Sequence, residues 1–489
     1  MCCPREGPPH PSAGSVTWNR VWWAPFAATL TPVSTIDGDG AGPQPLPAYD
    51  TDSLEAAERA LVEGNLATEK APPWKVLSWG LWDWGTQPFQ TVITTFVFSV
   101  YLTSEAFGTT ESTSLALSLS TGIAGLFIAL LAPVLGQGSD RTGKRMFNLR
   151  WQTWVLAALS ASLWFVAPEP GFLILGLVLL GVGNVVAEIA NVNYYAAIDQ
   201  VSTPKSVGKV SGLGWGMGYI GGIAILLLIV AIRGIDFDSD DVRFAMLMCG
   251  AWTAIFTIPI FLALRDQPRP EPVPRLGVRK AYGALFTTLR RIHRSSPDTI
   301  RFLIASALFR DGLAGVFTFG AILARGTFDF TYGEIIIFGI VANVAAGVST
   351  MLFGLLDDRI GPKKVIMISL VALVVLGSAI FVLHDGGKQV FWVCGLAMTL
   401  FVGPAQSASR SFLARAIPAG KAGEIFGLYA TTGRAVSFLA PLAFGGAILL
   451  GKLTGTGDAQ YFGILGIVLV LLIGLAAMIP VKEKGHSFE

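Results

Sequence analysis

Apolar residues run along this chain in long, nearly unbroken blocks rather than in alternation. A helix rises 1.5 Å per residue, so about 20 apolar residues cross the hydrocarbon core of a bilayer. Twelve blocks reach that length: 76–103, 112–136, 149–168, 171–198, 210–233, 243–264, 300–325, 332–356, 364–384, 388–412, 424–450 and 459–481. Backbone groups in lipid must be satisfied internally, so a span is a helix or part of a closed barrel. Barrel strands alternate apolar and polar residues over about ten positions, and these blocks are longer and continuous. The pattern predicts an all-α membrane protein with twelve transmembrane helices in two groups of six. A basic, Pro-rich stretch at 265–299 separates the groups, so the bundles are expected at 74–264 and 300–482.

Composition agrees with the pattern. Only 14% of the 489 residues are charged, against about 25% in ordinary soluble proteins. The net charge of +2 says little, but the placement of Lys and Arg says more. The outermost two residues of each block are counted with the adjoining loop. The loops after blocks 2, 4, 6, 8 and 10, with the C-terminal tail, then hold 22 basic residues, against 5 on the other face (Arg233, Arg243, Arg325, Lys388 and Lys452). Basic loops stay in the cytoplasm, so both termini are expected there. Within 265–299, the segment "AYGALFTTLRRI" is amphipathic and is expected to lie on the membrane surface.

The first 73 residues differ from the rest. "PREGPPHPSAG" and "DGDGAGPQPLPAYD" hold too few apolar residues for a core and are expected to be a disordered cytoplasmic tail. "VWWAPFAATL" is too short to span, no signal-peptide pattern stands out, and part of this tail is read as an over-extended reading frame. A short helix is expected at 53–65, and residues 483–489 form a second cytoplasmic tail. Four cysteines (Cys2, Cys3, Cys249 and Cys394) and four scattered histidines have no metal-ligand spacing, so no metal or cofactor is expected.

One motif occurs twice. "GQGSDRTGKR" at 136–145 and "GLLDDRIGPKK" at 354–364 both fit G-x-x-x-D-R-x-G-x-[RK], with their first glycines 218 residues apart. Each follows the second block of its group. Gly136 and Gly354 permit close approach of a neighbouring helix, and Gly143 and Gly361 supply a tight turn. Asp140 and Asp358 suit a helix N-terminus or a cation on the other side of the molecule. Arg141 and Arg145, with Arg359 and Lys363, supply cations. As an isolated basic loop either copy would be unremarkable; two in register point to a gating role.

At this point the chain resembles the major facilitator superfamily, over about residues 75–482. The resemblance implies two six-helix bundles that rock about a central site, giving alternating access. It also implies that Asp140, Arg141 and Arg145, and Asp358, Arg359 and Lys363, form cytoplasmic latches. A narrower likeness rests on "SWGLWDWGTQPFQTVITTFVF" (78–98), "AEIANVNYYAAI" (187–198), "ALFRDGLAGVFTFGA" in block 7 and "GPAQSASRSFLARAIPAGKAGEIFGLYATTGR" in blocks 10 and 11. These look like the vacuole-effluxer branch, whose eukaryotic members are autophagy-linked amino-acid exporters. Its bacterial relatives make a bacterial plasma membrane the expected location.

Six charges fall inside the blocks: Asp83, Glu188, Arg310, Asp311, Arg410 and Arg434. Such residues are rare in spans and face each other or an aqueous cavity. Three acids against three bases imply mutual compensation. The superfamily resemblance implies a cavity lined by blocks 1, 4, 7 and 10, which carry five of the six. Neighbouring helical residues point about 100° apart, so Arg310 is expected to reach Asp83 or Glu188, and Asp311 to reach Arg410 or Arg434. Arg410, near the end of its block, is the weakest member and is expected to snorkel. Gln87, Asn191, Tyr195 and Gln406 share helical faces with these charges and are candidate solute contacts. Trp82 and Tyr194 are read first as interface aromatics. The alternative for the whole set is a purely structural lock.

These observations predict a secondary active transporter of a small polar solute. Amino acids are the first reading, with hydrophobic drugs, sugars, or a non-transporting receptor or scaffold as alternatives. Protons are the expected coupling ion, with Asp83, Glu188 and Asp311 as carriers. No phosphate-binding G-x-x-x-x-G-K-[ST] loop and no intramembrane hydrolase motif occurs, so neither ATP coupling nor enzymatic activity is expected. A monomer is expected, with the lipid bilayer and no nucleic acid as partner.

Overall fold

The first predicted block is the one the backbone modifies most. Helix α1 (Pro73–Pro88) starts on a proline, where the missing N–H costs nothing, and ends on another. Pro88 cannot donate to the carbonyl of Trp84, and Trp252 Nε1 donates to that oxygen instead at 3.2 Å. Beyond Pro88 the ladder widens to a π-helix over Phe89–Phe96, where Val97 N donates to Val92 O at 2.9 Å. A short helix, Phe98–Leu102, completes the segment.

The computed structural model describes residues 66–234, 237–267, 277–418, 420–454 and 459–483. Among these residues the structure is helical, with no strand. The long helices are α2 (Thr110–Thr142), α3 (Arg145–Ser162), α4 (Leu173–Ala196), α5 (Val207–Arg233), α6 (Ser239–Phe256), α7 (Pro297–Gly326), α8 (Tyr332–Ile360), α9 (Pro362–Val382), α10 (Leu396–Ala416), α11 (Ala422–Val436, prolonged by Leu439–Leu453) and α12 (Gly463–Met478). Among the described residues ten helical segments are long and apolar enough to cross a membrane. The other two predicted blocks, 76–103 and 149–168, are helical but less uniform. The first is broken at Pro88, and the helix of the second starts ahead of its block with polar turns carrying Arg145, Asn148 and Arg150 and ends in the 3-10 turn Leu163–Phe165. The expected tail 1–65, with its helix at 53–65, and residues 484–489 lie outside the described residues.

Two of the crossings that join the first half of the chain to the second depend on glycine. In the first, α2 meets α11. A Cβ on Gly136 would collide with the carbonyl of Gly423, and one on Gly427 would lie 2.6 Å from the carbonyl of Ala132. In the second, α5 meets α8, where a Cβ on Gly354 would sit 2.7 Å from the carbonyl of Gly208 and one on Gly216 would sit 2.7 Å from that of Gly347. Small residues allow such backbone contact, which drives helix association in lipid, where burial in water-excluded surface supplies nothing extra. Gly136→Ala is therefore expected to cost about 1–3 kcal/mol as an overpacked site. Thermal unfolding in detergent checks this, with Gly122→Ala on the same helix as control, since nothing lies within 4 Å of its added Cβ.

The predicted surface helix is present as Val278–Ser295. Ala281, Leu285 and Ile292 are buried against the bundle, and Tyr282 Oη donates to Leu130 O of α2 at 2.6 Å.

Candidate functional site

Four of the six intramembrane charges pair with one another, and the other two, Arg310 and Asp311, find partners different from the expected ones. Arg410 of α10 faces Asp83 of α1, with Nη1 3.6 Å from Oδ2. Its Nε donates to Ser211 Oγ at 2.9 Å and its Nη2 to Ser211 O at 2.6 Å, so α5 anchors the guanidinium. Asp83 also accepts from Tyr194 Oη at 3.1 Å. The expectation that Arg410 snorkels is overturned: its side chain is 1% exposed and sits among aromatic rings. Its Cζ lies 4.9 Å from the Trp79 ring centroid, 5.0 Å from Tyr195, 5.6 Å from Tyr194 and 5.8 Å from Trp215, all within cation–π range. α10 runs on to Ala416, which carries Arg410 more than a turn inside the helix end. Arg410 Nη1 has no hydrogen-bond partner among the described residues.

Tyr194 organises this cage. It stacks between Trp79 and Trp82, with centroids 4.4 and 4.2 Å away. Trp79 Nε1 donates to Tyr194 O at 3.2 Å, and Trp82 Nε1 to Thr153 Oγ1 at 3.0 Å. Trp82 and Tyr194 are thus fully buried and not interface aromatics. The sequence signal was available: Tyr194 precedes Tyr195 on the helix that carries Glu188.

The second pair joins α4 and α11, with Arg434 Nη2 2.8 Å from Glu188 Oε1 and both side chains partly exposed. With Asp83 and Glu188 taken, Arg310 is not paired with either of them, contrary to expectation. It stacks on the Tyr429 ring at 3.7 Å and donates through Nη1 to Tyr429 O at 3.0 Å. Asp311 reaches neither Arg410 nor Arg434. It accepts from Ala440 N at 2.6 Å, capping the Leu439–Leu453 extension of α11. Arg310 and Asp311 therefore face two different parts of the same helix. Gln87 lies beside Asp83 along the glycine face of α5, since a Cβ on Gly218 would sit 3.4 Å from its Oε1. Tyr195 meets the Phe426 ring at 5.8 Å. Asn191 and Gln406 make no side-chain hydrogen bond among the described residues.

At one end of the bundle the two repeats act reciprocally. Asp140, from the first half, accepts from Gly423 N and Glu424 N at 2.9 and 2.8 Å, capping α11. Asp358, from the second half, accepts from Gly208 N and Lys209 N at 2.7 and 2.9 Å, capping α5. A carboxylate at a helix N-terminus meets unpaired N–H groups and the positive end of the dipole. Gly143 and Gly361 take φ of 65° and 91°, the left-handed backbone their turns require.

The cations differ from those the motif implies. Arg145 bridges Asp140 at 3.0 Å and Asp199 at 2.7 Å. In the second copy Arg415, outside the motif, bridges Asp357 at 2.6 Å and Asp358 at 3.0 Å. Arg141 and Arg359 form no ion pair among the described residues, and Lys363 donates to Ile479 O at 2.9 Å. Asp199, Asp357, Arg415 and the fully buried Glu424, which Gln137 Nε2 reaches at 3.0 Å, were not singled out from the sequence.

Comparison with known proteins agrees with this architecture. The described helices match the proton:xylose symporter XylE with a TM-score of 0.67 at 13% identity, over 84% of this chain and 96% of that one. They match an outward-facing bacterial homologue of the iron transporter ferroportin with a TM-score of 0.61 at 18% identity, over 83% and 98%. The fold is that of a major facilitator superfamily transporter, a multi-pass integral membrane protein. Residues 99–486 match the family model described as "Vacuole effluxer Atg22 like", and the chain belongs to that family. An uncharacterized MFS-type transporter of Bacillus subtilis, YxiO, is 27% identical over 83% of this chain and 94% of its own length. Autophagy-related protein 22 of Cryptococcus neoformans is 29% identical over 56% of this chain and 50% of its own length, so this chain spans about half of that relative.

Proposed function

We propose that this chain is a proton-coupled secondary transporter that moves a small polar solute by alternating access. The observation that carries the reading is the pair of central ion pairs, Asp83–Arg410 and Glu188–Arg434. Each joins a residue before position 265 to one after position 297. On this reading residues 74–264 and 300–482 are two six-helix halves that cross the bilayer twelve times, and 265–299 links them. The tails 1–73 and 483–489 lie in the cytoplasm of a bacterial cell with that link. The end closed by Asp140 and Asp358 is the cytoplasmic end, and this conformation opens toward the other side.

Chemistry supports the assignment of parts. Arg410 and Arg434 present guanidinium forks suited to a carboxylate, and the aromatic cage around Arg410 holds its charge without an abundance of water. Asp83 and Glu188 are the proton carriers. Protonating either removes the attraction to its arginine and frees that arginine for solute. Amino acids, with one carboxylate and one ammonium group, complement this set. Asp311, whose carboxylate faces a helix N-terminus, is a structural group in this scheme.

Proteoliposomes with an imposed pH gradient test the proposal. Wild-type protein is expected to accumulate one or more members of an amino-acid panel against a gradient. Asp83→Asn keeps the Tyr194 contact but carries no proton. It is expected to retain downhill exchange while losing accumulation. Normal gradient-driven accumulation by that variant removes Asp83 from the coupling role, and absence of flux across amino acids, peptides and sugars overturns the solute assignment.

A further inference from the structure

The helix Val278–Ser295 has a face that transport does not use. Its apolar side is spent on the bundle through Ala281, Leu285 and Ile292. The opposite side carries Thr287, Arg290, Arg291 and Arg294, at spacings of three, four and seven residues, which place them on one face. These four residues line a recess of about 510 Å³. Neither Arg290 nor Arg294 meets an acid among the described residues, and both stand exposed at the recess.

Its surroundings specify a lipid. Tyr282 ties the helix to Leu130 on the flank of α2, where Leu126, Phe127 and Leu130 are 61%, 52% and 48% exposed. That flank is part of the apolar belt that acyl chains cover. Phe286, one turn before Arg290, is 67% exposed and extends the belt to the edge of the recess. A ligand seated there would place an anionic head on the arginines and apolar tails along α2. Guanidinium groups bind phosphate oxygens through paired, charge-assisted hydrogen bonds, and basic clusters beside spanning helices recruit anionic lipids.

We infer that Thr287, Arg290, Arg291 and Arg294 form a binding site for the phosphate headgroup of an anionic phospholipid in the leaflet next to this helix. Free phosphate offers the same oxygens but would leave Phe286 and the α2 flank without a role.

Native mass spectrometry of the full chain tests the site with three probes: dioctanoyl phosphatidylglycerol, dioctanoyl phosphatidylcholine and inorganic phosphate. Wild-type protein is expected to retain phosphatidylglycerol in preference to phosphatidylcholine. Arg290→Gln with Arg294→Gln is expected to weaken that retention by roughly thirtyfold, at about a fivefold factor per basic residue near the headgroup. Lys75→Gln, in the first turn of α1 and far from the recess in sequence, should leave it unchanged. Circular dichroism and melting of the double variant in phosphatidylcholine micelles confirm that it folds. Equal phosphatidylglycerol retention by the folded double variant and wild type overturns the site. Displacement of the lipid by inorganic phosphate at equal concentration overturns the lipid assignment in favour of a free-anion site.

Discussion

Arg410→Ala abolishes solute flux, and Arg410→Lys restores little of it. The guanidinium spans two anchors that an ammonium cannot reach together, Ser211 on α5 and Asp83 on α1, and its flat face lies among four aromatic rings. Removing it leaves the buried Asp83 carboxylate beside Tyr194 without a counter-charge. Breaking a buried pair in this way costs about 3–5 kcal/mol, so flux is expected to fall about a hundredfold or more. Part of that cost falls on folding. Asp83→Asn/Arg410→Met removes both charges and is expected to recover much of the melting temperature but none of the gradient-driven flux. Recovery of flux in this double variant would reduce the pair to a structural lock.

The second large effect comes from the capped end. Asp140→Ala with Asp358→Ala removes both carboxylates, each of which satisfies two backbone N–H groups and one arginine. A lost N-cap costs about 1 kcal/mol, and the arginines lose their partners as well. Because both carboxylates join the two halves of the chain, the losses fall on the closed conformation and not on either half alone. The population with that end open is expected to rise at least tenfold. Val192 is 1% exposed and packs against the Gly136 crossing. In a chain otherwise free of cysteine, Val192→Cys is expected to react with a membrane-impermeant maleimide slowly, and faster by that factor once both aspartates are gone. Unchanged reactivity would show that the caps do not hold the end shut.

Much of this was legible in the sequence because lipid imposes simple rules. Continuous apolar blocks located the helices, and the doubled motif located both caps, including the glycines at each crossing. The pairing of charges was not legible. Asp311 is satisfied by a backbone N–H, which carries no label in a sequence. Arg415 looked like any other basic residue beside a helix end, yet it is the cation of the second cap. Asp357 was hidden beside Asp358, which belongs to the motif. Arg410 lies near the end of an apolar block that stops at 412, but the helix continues to Ala416 and the aromatic cage closes over it. The break of α1 at Pro88 was not legible either, since block 76–103 reads as one continuous helix. The π-helical register that follows depends on Trp252 taking up the freed carbonyl, a tertiary contact between α1 and α6.

The central claim is that the two halves separate at the capped end during transport and take the central ion pairs apart as they do so. Spin labels at Lys205 and Arg359, exposed positions on either side of the α5–α8 crossing, measure this directly in proteoliposomes by pulsed electron resonance. The account predicts one short distance at rest and a second, longer one populated when solute and a pH gradient are supplied, with Asp140→Ala/Asp358→Ala populating the longer distance without either. A single distance that none of these conditions changes would contradict it.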